Sequence, residues 1–261
     1  MTTRPDPSDF RKRLLAREPL IGTFMKFTTP MPTEVLGAIG YDFVMLDEEH
    51  SPWTREHLGV GLLAARAFGI AGFVRVSRPD AASILSMLDD GATGVMVPHC
   101  DSADKARDVA SWSRYIGGTR GSGNSRGGDY GARGGNAHYE YSDERAAVIA
   151  MIEDAAAIER IDEITAVEGI DCFFMGRGDL ALSLSNVKGP KPTLEEAVKI
   201  IAESVLKSGK ALAAVAPSMA SDDAKAMKDL GVSALMVSSD VMMLKAAAQT
   251  HLNGFKALYG L

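Results

Sequence analysis

Eight short apolar runs, separated by amphipathic stretches, restrict the fold of this chain more than any other feature. They are LIGTFMKF (20–27), DFVMLD (42–47), AGFVRV (71–76), TGVMVPH (93–99), AVIAMIE (147–153), DCFFMG (171–176), ALAAVA (211–216) and SALMVS (233–238). Each is apolar almost throughout instead of alternating, as in strands of a parallel sheet covered on both faces. Helix-like segments with ordinary start and stop signals lie between most of them. Thr54 opens one that stops at Gly69, Asp80 opens one that stops at Gly91, and Asp101 opens a third. Eight strands alternating with helices predict an α/β fold, a (β/α)8 TIM barrel, with residues 1–261 as one domain. The runner-up is a doubly wound open sheet. It needs a phosphate-binding glycine fingerprint after a strand, and the sequence has none.

A chain of 261 residues can bury its core without disulfides or a structural metal. Its net charge of −6 gives no electrostatic reason to expect nucleic acid or an anionic membrane as a partner. The two cysteines, Cys100 and Cys172, have no zinc-type spacing and suit a reducing compartment. No run approaches the roughly 18 apolar residues of a membrane span. The opening MTTRPDPSDFRKRLL has no apolar segment of the secretory kind. The expected location is the cytoplasm.

The runs end in an unexpected way. FVML leads straight into Asp47, Glu48, Glu49 and His50. Arg75 sits inside FVRV, Glu153 ends AVIAMIE, Asp179 follows FFMG after the Gly176–Gly178 turn, and Lys26 stands near the end of the first run. A barrel of this kind carries its chemistry where strands emerge at the C-terminal face. Taken singly, each residue has a plainer role. Asp179 suits a helix N-cap, Arg75 a structural ion pair and His50 a satisfied imidazole, and His99 with Cys100 read as structural. Taken together, they populate one rim.

The segment GGTRGSGNSRGGDYGARGG (117–135) holds 9 glycines in 19 residues. It reads either as a flexible surface loop or as a functional loop at a strand end. In the second case Arg120, Arg126 and Arg133 would meet an anionic substrate or a neighbouring subunit.

With these residues in view, the sequence resembles the HpcH/HpaI aldolases, metal-dependent class II pyruvate aldolases that include 2-keto-3-deoxy acid and 2,4-dihydroxyhept-2-enedioate aldolases. The resemblance runs from LIGTFMKF to SALMVSSD. It rests on GYDFVMLDEEHSPW, FVRVSRPDAASILSMLDDGATGVMVPH, RYIGGTRG, MIEDAAAIERIDEITAVEGID and FFMGRGDLALSL, in the family's order and spacing. It implies a barrel of the phosphoenolpyruvate/pyruvate type, assembled as a homohexamer with the C-terminal helix exchanged between subunits. It makes Glu153 and Asp179 the ligands of a divalent metal (Mg²⁺, Mn²⁺ or Co²⁺), and His50 with Asp47 behind it the acid/base dyad. Arg75 would hold the pyruvyl oxygen, and backbone amides around Gly176, Gly178 and Asp179 would meet the pyruvyl carboxylate. Asp89 matches a position near the subunit contact. The implied partners are a small 2-oxo acid, pyruvate, and an aldehyde. The chain departs from the family pattern in four places, one of them the segment after RYIGG, which lacks the usual proline pair and is unusually glycine-rich. Glu48 adds an acid beside the dyad, Met151 replaces a common Gln, and Arg177 is placed near the carboxylate pocket.

These residue types suit an enolate reaction. A hard ion bound by two carboxylates keeps open positions for a bidentate 2-oxo acid and polarises its keto oxygen. An arginine shares the developing charge. An imidazole with an ordinary pKa near 6.5 serves as the base. Three other readings remain at this level: a Schiff-base aldolase using Lys26, a related acyl-CoA or biosynthetic carbon–carbon lyase, and a non-catalytic metabolite-binding barrel.

Overall fold

The computed structural model of the protein describes residues 7–261. Its strands are β1 (Leu20–Met25), β2 (Phe43–Asp47), β3 (Ala71–Arg75), β4 (Gly94–Val97), β5 (Ala147–Ile152), β6 (Cys172–Met175), β7 (Ala211–Ala216) and β8 (Ala234–Ser239). They form a closed barrel in chain order, and β8 returns parallel to β1. Every apolar run of the sequence forms a strand. Closure carries one irregularity, a register shift between Gly22 and Phe24 where β1 meets β8. Only glycine fits at position 22, because a Cβ would stand 2.4 Å from the Phe43 ring.

Strand alternation sorts the apolar residues into two layers. Phe43, Met45, Phe73, Met96, Met151 and Phe174 fill the barrel. The residues between them, such as Val44, Leu46, Val74 and Val148, pack under the helices. Both layers are dry, so polarity does not alternate along the strands. The same alternation sets the layer above them. Two residues beyond Phe24, Met45, Phe73 and Met151 stand Lys26, Asp47, Arg75 and Glu153. The charged groups that end the apolar runs thus form the next interior layer, at the C-terminal mouth. The other mouth is closed by the helix Phe10–Leu15, whose Phe10 ring meets Phe43 and Phe73 edge-on at 5.4 and 5.0 Å. Burying such a ring contributes about 1.5–3 kcal/mol.

Two helices obey the signals read from the sequence. Thr54 accepts from the His57 N–H to open Arg55–Phe68, and Gly69, at φ +66°, ends it. Asp80 accepts from the Ser83 N–H to open Ala81–Asp89. The third cap is Ser102, not Asp101. Ser102 accepts from the Lys105 N–H, while the Asp101 carboxylate pairs with Lys105 Nζ at 2.9 Å.

The glycine-rich segment departs from the functional reading that put it at a strand end. It follows the helix Ala103–Trp112 and leads into the helix Gly135–Arg145, which feeds β5. A helix-to-strand connection returns the chain to the N-terminal face, opposite the catalytic rim of such barrels. It is also anchored: Arg120 is buried against Asp89 and Ser142, and Arg126 Nη1 donates to the carbonyls of Gly59 and Asp90. Asp89 thus serves this loop. Residues 1–6, part of the opening stretch considered as a leader, lie outside the described residues. Among the described residues no helix is long and apolar enough to cross a membrane.

Candidate active site at the C-terminal rim

The rim is organised around Asp47, which is fully buried. Its Oδ1 accepts from Arg75 Nε at 2.8 Å and lies 2.7 Å from Arg75 Nη2, and its Oδ2 accepts from Lys26 Nζ at 2.7 Å. β2 and β3 bring this about directly, since Asp47 and Arg75 are register partners. Burial alone would push the Asp47 carboxyl up. The Arg75 charge and the hydrogen bonds from Lys26 and Arg75 outweigh it, and the group is held below the usual carboxylate range.

Arg75 meets a second carboxylate as well. Its Nη1 stands 3.1 Å from Glu49 Oε2, an ion pair without hydrogen-bond alignment, and its guanidinium lies over the Phe24 ring at 4.8 Å. Glu49 reaches further, with Oε2 3.6 Å from His50 Nε2 and Oε1 3.9 Å from His99 Nε2. The expected pairing of Asp47 with the His50 ring is therefore corrected. Asp47 accepts from the His50 backbone N–H at 3.3 Å, and the imidazole beside it belongs to Glu49. The reason is competition: two cations already occupy the Asp47 oxygens. Glu48 turns aside as well, since its Oε2 accepts from the Ser77 N–H at 2.9 Å.

Glu153 stands on the other side of the mouth, 2 % exposed. Its Oε1 accepts from the His99 N–H at 2.8 Å. Burial pushes its carboxyl above the usual range. The His99 N–H and charge oppose that rise, and the charges of Glu49 and Asp179 add to it. Asp179 is exposed in the first turn of the helix Arg177–Asn186, whose N-cap is Gly176. Asp179 is thus not the cap that its sequence position also suggested. Gly176 is required, because a Cβ there would stand 2.6 Å from Met151 Cε and 2.9 Å from Glu153 Oε2. Its own N–H is spent on the Ile152 carbonyl, so the amides left for an anion are those of the helix's first turn, Gly178 and Asp179 among them. Arg177 does not join this pocket. Its guanidinium takes both oxygens of Asp223, at 2.5 and 2.7 Å, and the Val215 carbonyl.

Sequence reasoning misses one residue of the rim. His99 reads as structural, yet it sits at φ +55°, a backbone strain uncommon outside glycine. That turn carries its Nδ1 to 3.1 Å from Asp154 Oδ2 and 3.5 Å from Glu153 Oε1. Burial lowers the imidazole's pKa. The Asp154 hydrogen bond and the charges of Glu153, Asp154 and Glu49 more than compensate, so the net shift is upward. The only trace in the sequence is a histidine placed one step after a strand-end proline. Cys100 is buried and free, as expected.

Glu153 and Asp179 offer hard oxygen donors, and among the described residues no Lys or Arg pairs with either. Such a pair fits a divalent ion of the magnesium kind. Among the described residues no group of three or more His, Cys, Asp and Glu forms a closed cage. Two ligands of this kind leave places for water and a chelating substrate. The rim can thus bind a hard cation, present a buried guanidinium and first-turn amides to an oxyanion, and move a proton through either of two half-exposed imidazoles.

The family model described as HpcH/HpaI aldolase/citrate lyase matches residues 20–247. A hydroxypyruvate/pyruvate aldolase of Delftia acidovorans is 31% identical over 253 residues, covering 95% of this chain and 92% of the relative. A 5-keto-4-deoxy-D-glucarate aldolase of Klebsiella pneumoniae is also 31% identical over 253 residues, covering 96% of this chain and 97% of the relative. Among solved structures, an HpcH/HpaI aldolase/citrate lyase family protein from Burkholderia cenocepacia superposes with a TM-score of 0.87 at 27% identity, covering 95% of this chain and 99% of its own.

Proposed function

The chain belongs to the HpcH/HpaI aldolase/citrate lyase family, and on that premise we propose that it is a divalent-metal-dependent class II aldolase. It cleaves or forms the carbon–carbon bond of a 2-oxo-4-hydroxy acid, with pyruvate as one partner and an aldehyde as the other. The observation that carries this reading is the Glu153–Asp179 pair, two carboxylates without a Lys or Arg counter-ion across the mouth from a buried Arg75. A divalent ion bound by that pair supplies Lewis acidity at the keto oxygen.

The residues of the chain do the rest. Arg75 uses three contacts on Asp47 and Glu49, which leaves N–H donors of its five for the same oxygen as negative charge develops. The first-turn amides of Gly178 and Asp179 receive the substrate carboxylate at a helix N-terminus. His50 takes the proton of the aldol hydroxyl in cleavage, with Glu49 Oε2 standing 3.6 Å from its Nε2. Asp47 is a positioning residue, fixing Arg75, Lys26 and the His50 backbone. The Schiff-base reading loses ground because Lys26 is the counter-ion of a buried carboxylate, whereas a nucleophilic lysine must be uncharged.

The domain is the barrel of residues 1–261, placed in the cytoplasm and assembled as a homohexamer with the C-terminal helix exchanged. The helix Asp240–Tyr259 supports the assembly: it buries only Asp240 of its own and leaves Leu244, Leu252, Phe255 and Leu258 exposed. Light scattering that returned a monomer at micromolar concentration would remove that part. The chemistry is tested by pyruvate release from a panel of 2-oxo-4-hydroxy acids. Turnover should vanish in chelator and return with Mg²⁺, Mn²⁺ or Co²⁺. Full activity after metal removal, or a borohydride-trapped adduct with pyruvate, overturns it.

A further inference from the structure

At the opposite end of the barrel lies a cavity of about 380 Å³ whose lining includes Arg66, Arg120, Arg126, Arg133 and Arg145 against one carboxylate, Asp129. We propose that it is a binding site for a small oxyanion ligand, a phosphate or a polycarboxylate, separate from the catalytic rim.

The arginines outnumber the carboxylates that meet them: Arg66 and Arg133 share Asp129, Arg120 meets Asp89, Arg145 meets the exposed Glu144 at 3.3 Å, and Arg126 meets no carboxylate among the described residues. The Arg120 side chain is 1% exposed; Nη2 meets Asp89 at 3.1 Å and Nη1 meets Ser142 Oγ at 3.0 Å, but its buried Nε has no hydrogen-bond partner among the described residues. The buried Nε of Arg145 has none either. Arg126 donates only to main-chain carbonyls. Asp129 already serves two cations, Arg66 at 2.9 Å and Arg133 at 3.2 Å. Arg133 and Arg145 both stack on the Tyr141 ring, at 3.5 and 3.7 Å from its centroid. Their guanidinium carbons therefore stand no further apart than the sum of those distances, close enough to repel. A buried donor left unpaired and a pair of crowded like charges are both costly. One bound oxyanion relieves both, because guanidinium groups take phosphate and carboxylate by paired N–H donors. The walls come from the ends of helices Arg55–Phe68, Ala81–Asp89 and Gly135–Arg145, the starts of β3, β4 and β5, and the glycine-rich segment. That segment lays Arg126 beside Gly91, at φ +94°, where a Cβ would stand 3.1 Å from Arg126 Cδ.

The test is calorimetric titration of the full chain with inorganic phosphate, pyrophosphate and citrate at matched ionic strength. The first two report a phosphate site and the third a polycarboxylate site. We expect saturable binding of at least one probe at one site per chain. It should weaken by about tenfold or more in Arg145→Gln and in Arg126→Gln. Aldol cleavage without the probe should be unchanged in both variants. Arg133→Gln, at a more exposed guanidinium, serves if either variant fails to fold. No saturable binding by any probe overturns the site. Binding that survives all the variants overturns it too, since it then belongs to the rim. A change of oligomeric state in the variants without loss of anion binding assigns the arginines to a subunit contact instead.

Discussion

The two ends of the barrel treat the same side chain in opposite ways. At the C-terminal rim Arg75 is buried with two carboxylates on it, and the unmatched charges there are acids, Glu153 and Asp179. At the N-terminal face Arg120 is equally buried with one carboxylate, its Nε has no partner among the described residues, and arginines outnumber carboxylates around the cavity it lines. The difference shows what each end lacks. On the proposals above, the rim takes a cation and the base takes an anion, each a ligand of opposite sign. Between them lies a dry, two-layered core that keeps them apart.

The largest expected effect is at the acidic end. Glu153→Gln removes half of the proposed ligand pair and should lower pyruvate release by about 10³-fold. It should not lower thermal stability, because the substitution also removes a carboxyl pushed upward by its burial, with the charges of Glu49 and Asp179 adding to the rise. Near-parent turnover in Glu153→Gln would sink its role as a ligand.

Next comes the base. His50→Ala should cost roughly 10²–10⁴ in cleavage while pyruvate still binds. Arg75→Ala should harm both, and Arg75→Lys should rescue little, since a point charge cannot hold Asp47 and Glu49 together. His99→Asn keeps a residue that tolerates a positive φ and removes the imidazole. Cleavage lost in His99→Asn and kept in His50→Ala would transfer the base to His99.

The barrel is readable from the sequence because buried parallel strands leave unbroken apolar runs, and the rim because the next inward residue after four of the runs is charged: Lys26, Asp47, Arg75 and Glu153. Asp47, Arg75 and Glu153 need only that parity. What the sequence hides is pairing. That Asp47 faces Arg75 and Lys26, and leaves His50 to Glu49, depends on which oxygen each cation reaches first. His99 is hidden because a positive φ at a non-glycine residue has no reliable signature. The glycine-rich segment is misplaced for a different reason. Its composition announces a loop, but which face the loop occupies depends on whether it follows a strand or a helix.

Asp47 sharpens the contrast through stability. Asp47→Asn leaves Arg75 and Lys26 short of their shared counter-ion and should cost about 3 kcal/mol, the low end for breaking a buried pair. Its pH dependence has a fixed sign. The folded carboxyl lies below its ordinary value, so its contribution is complete above the unfolded value, about pH 4, and is lost as pH falls through the lower folded value. Urea unfolding should show a gap between parent and variant that is constant near neutrality and closes in acid. A gap that stayed constant down to pH 2 would mean that the Asp47 charge contributes nothing.

The smallest effect, and the sharpest test of the contrast, is at the base of the barrel. Arg145→Gln removes one of two guanidinium groups crowded on Tyr141 and leaves only an exposed Glu144 without its partner at 3.3 Å. An exposed pair of that kind contributes about 0–1 kcal/mol, and relief of repulsion offsets it. In buffer free of polyanions the variant should therefore unfold within about 0.5 kcal/mol of the parent. Added pyrophosphate or citrate should then raise the melting temperature of the parent more than that of the variant, by mass action on the folded state. Phosphate-free buffer is essential, because a bound buffer ion would stabilise the parent and disguise a neutral substitution as a destabilising one. If Arg145→Gln proves strongly destabilising without any anion present, the arginines at this end are already satisfied by the chain itself. The two ends would then differ in need of a ligand as well as in sign of charge, with the rim alone calling for one.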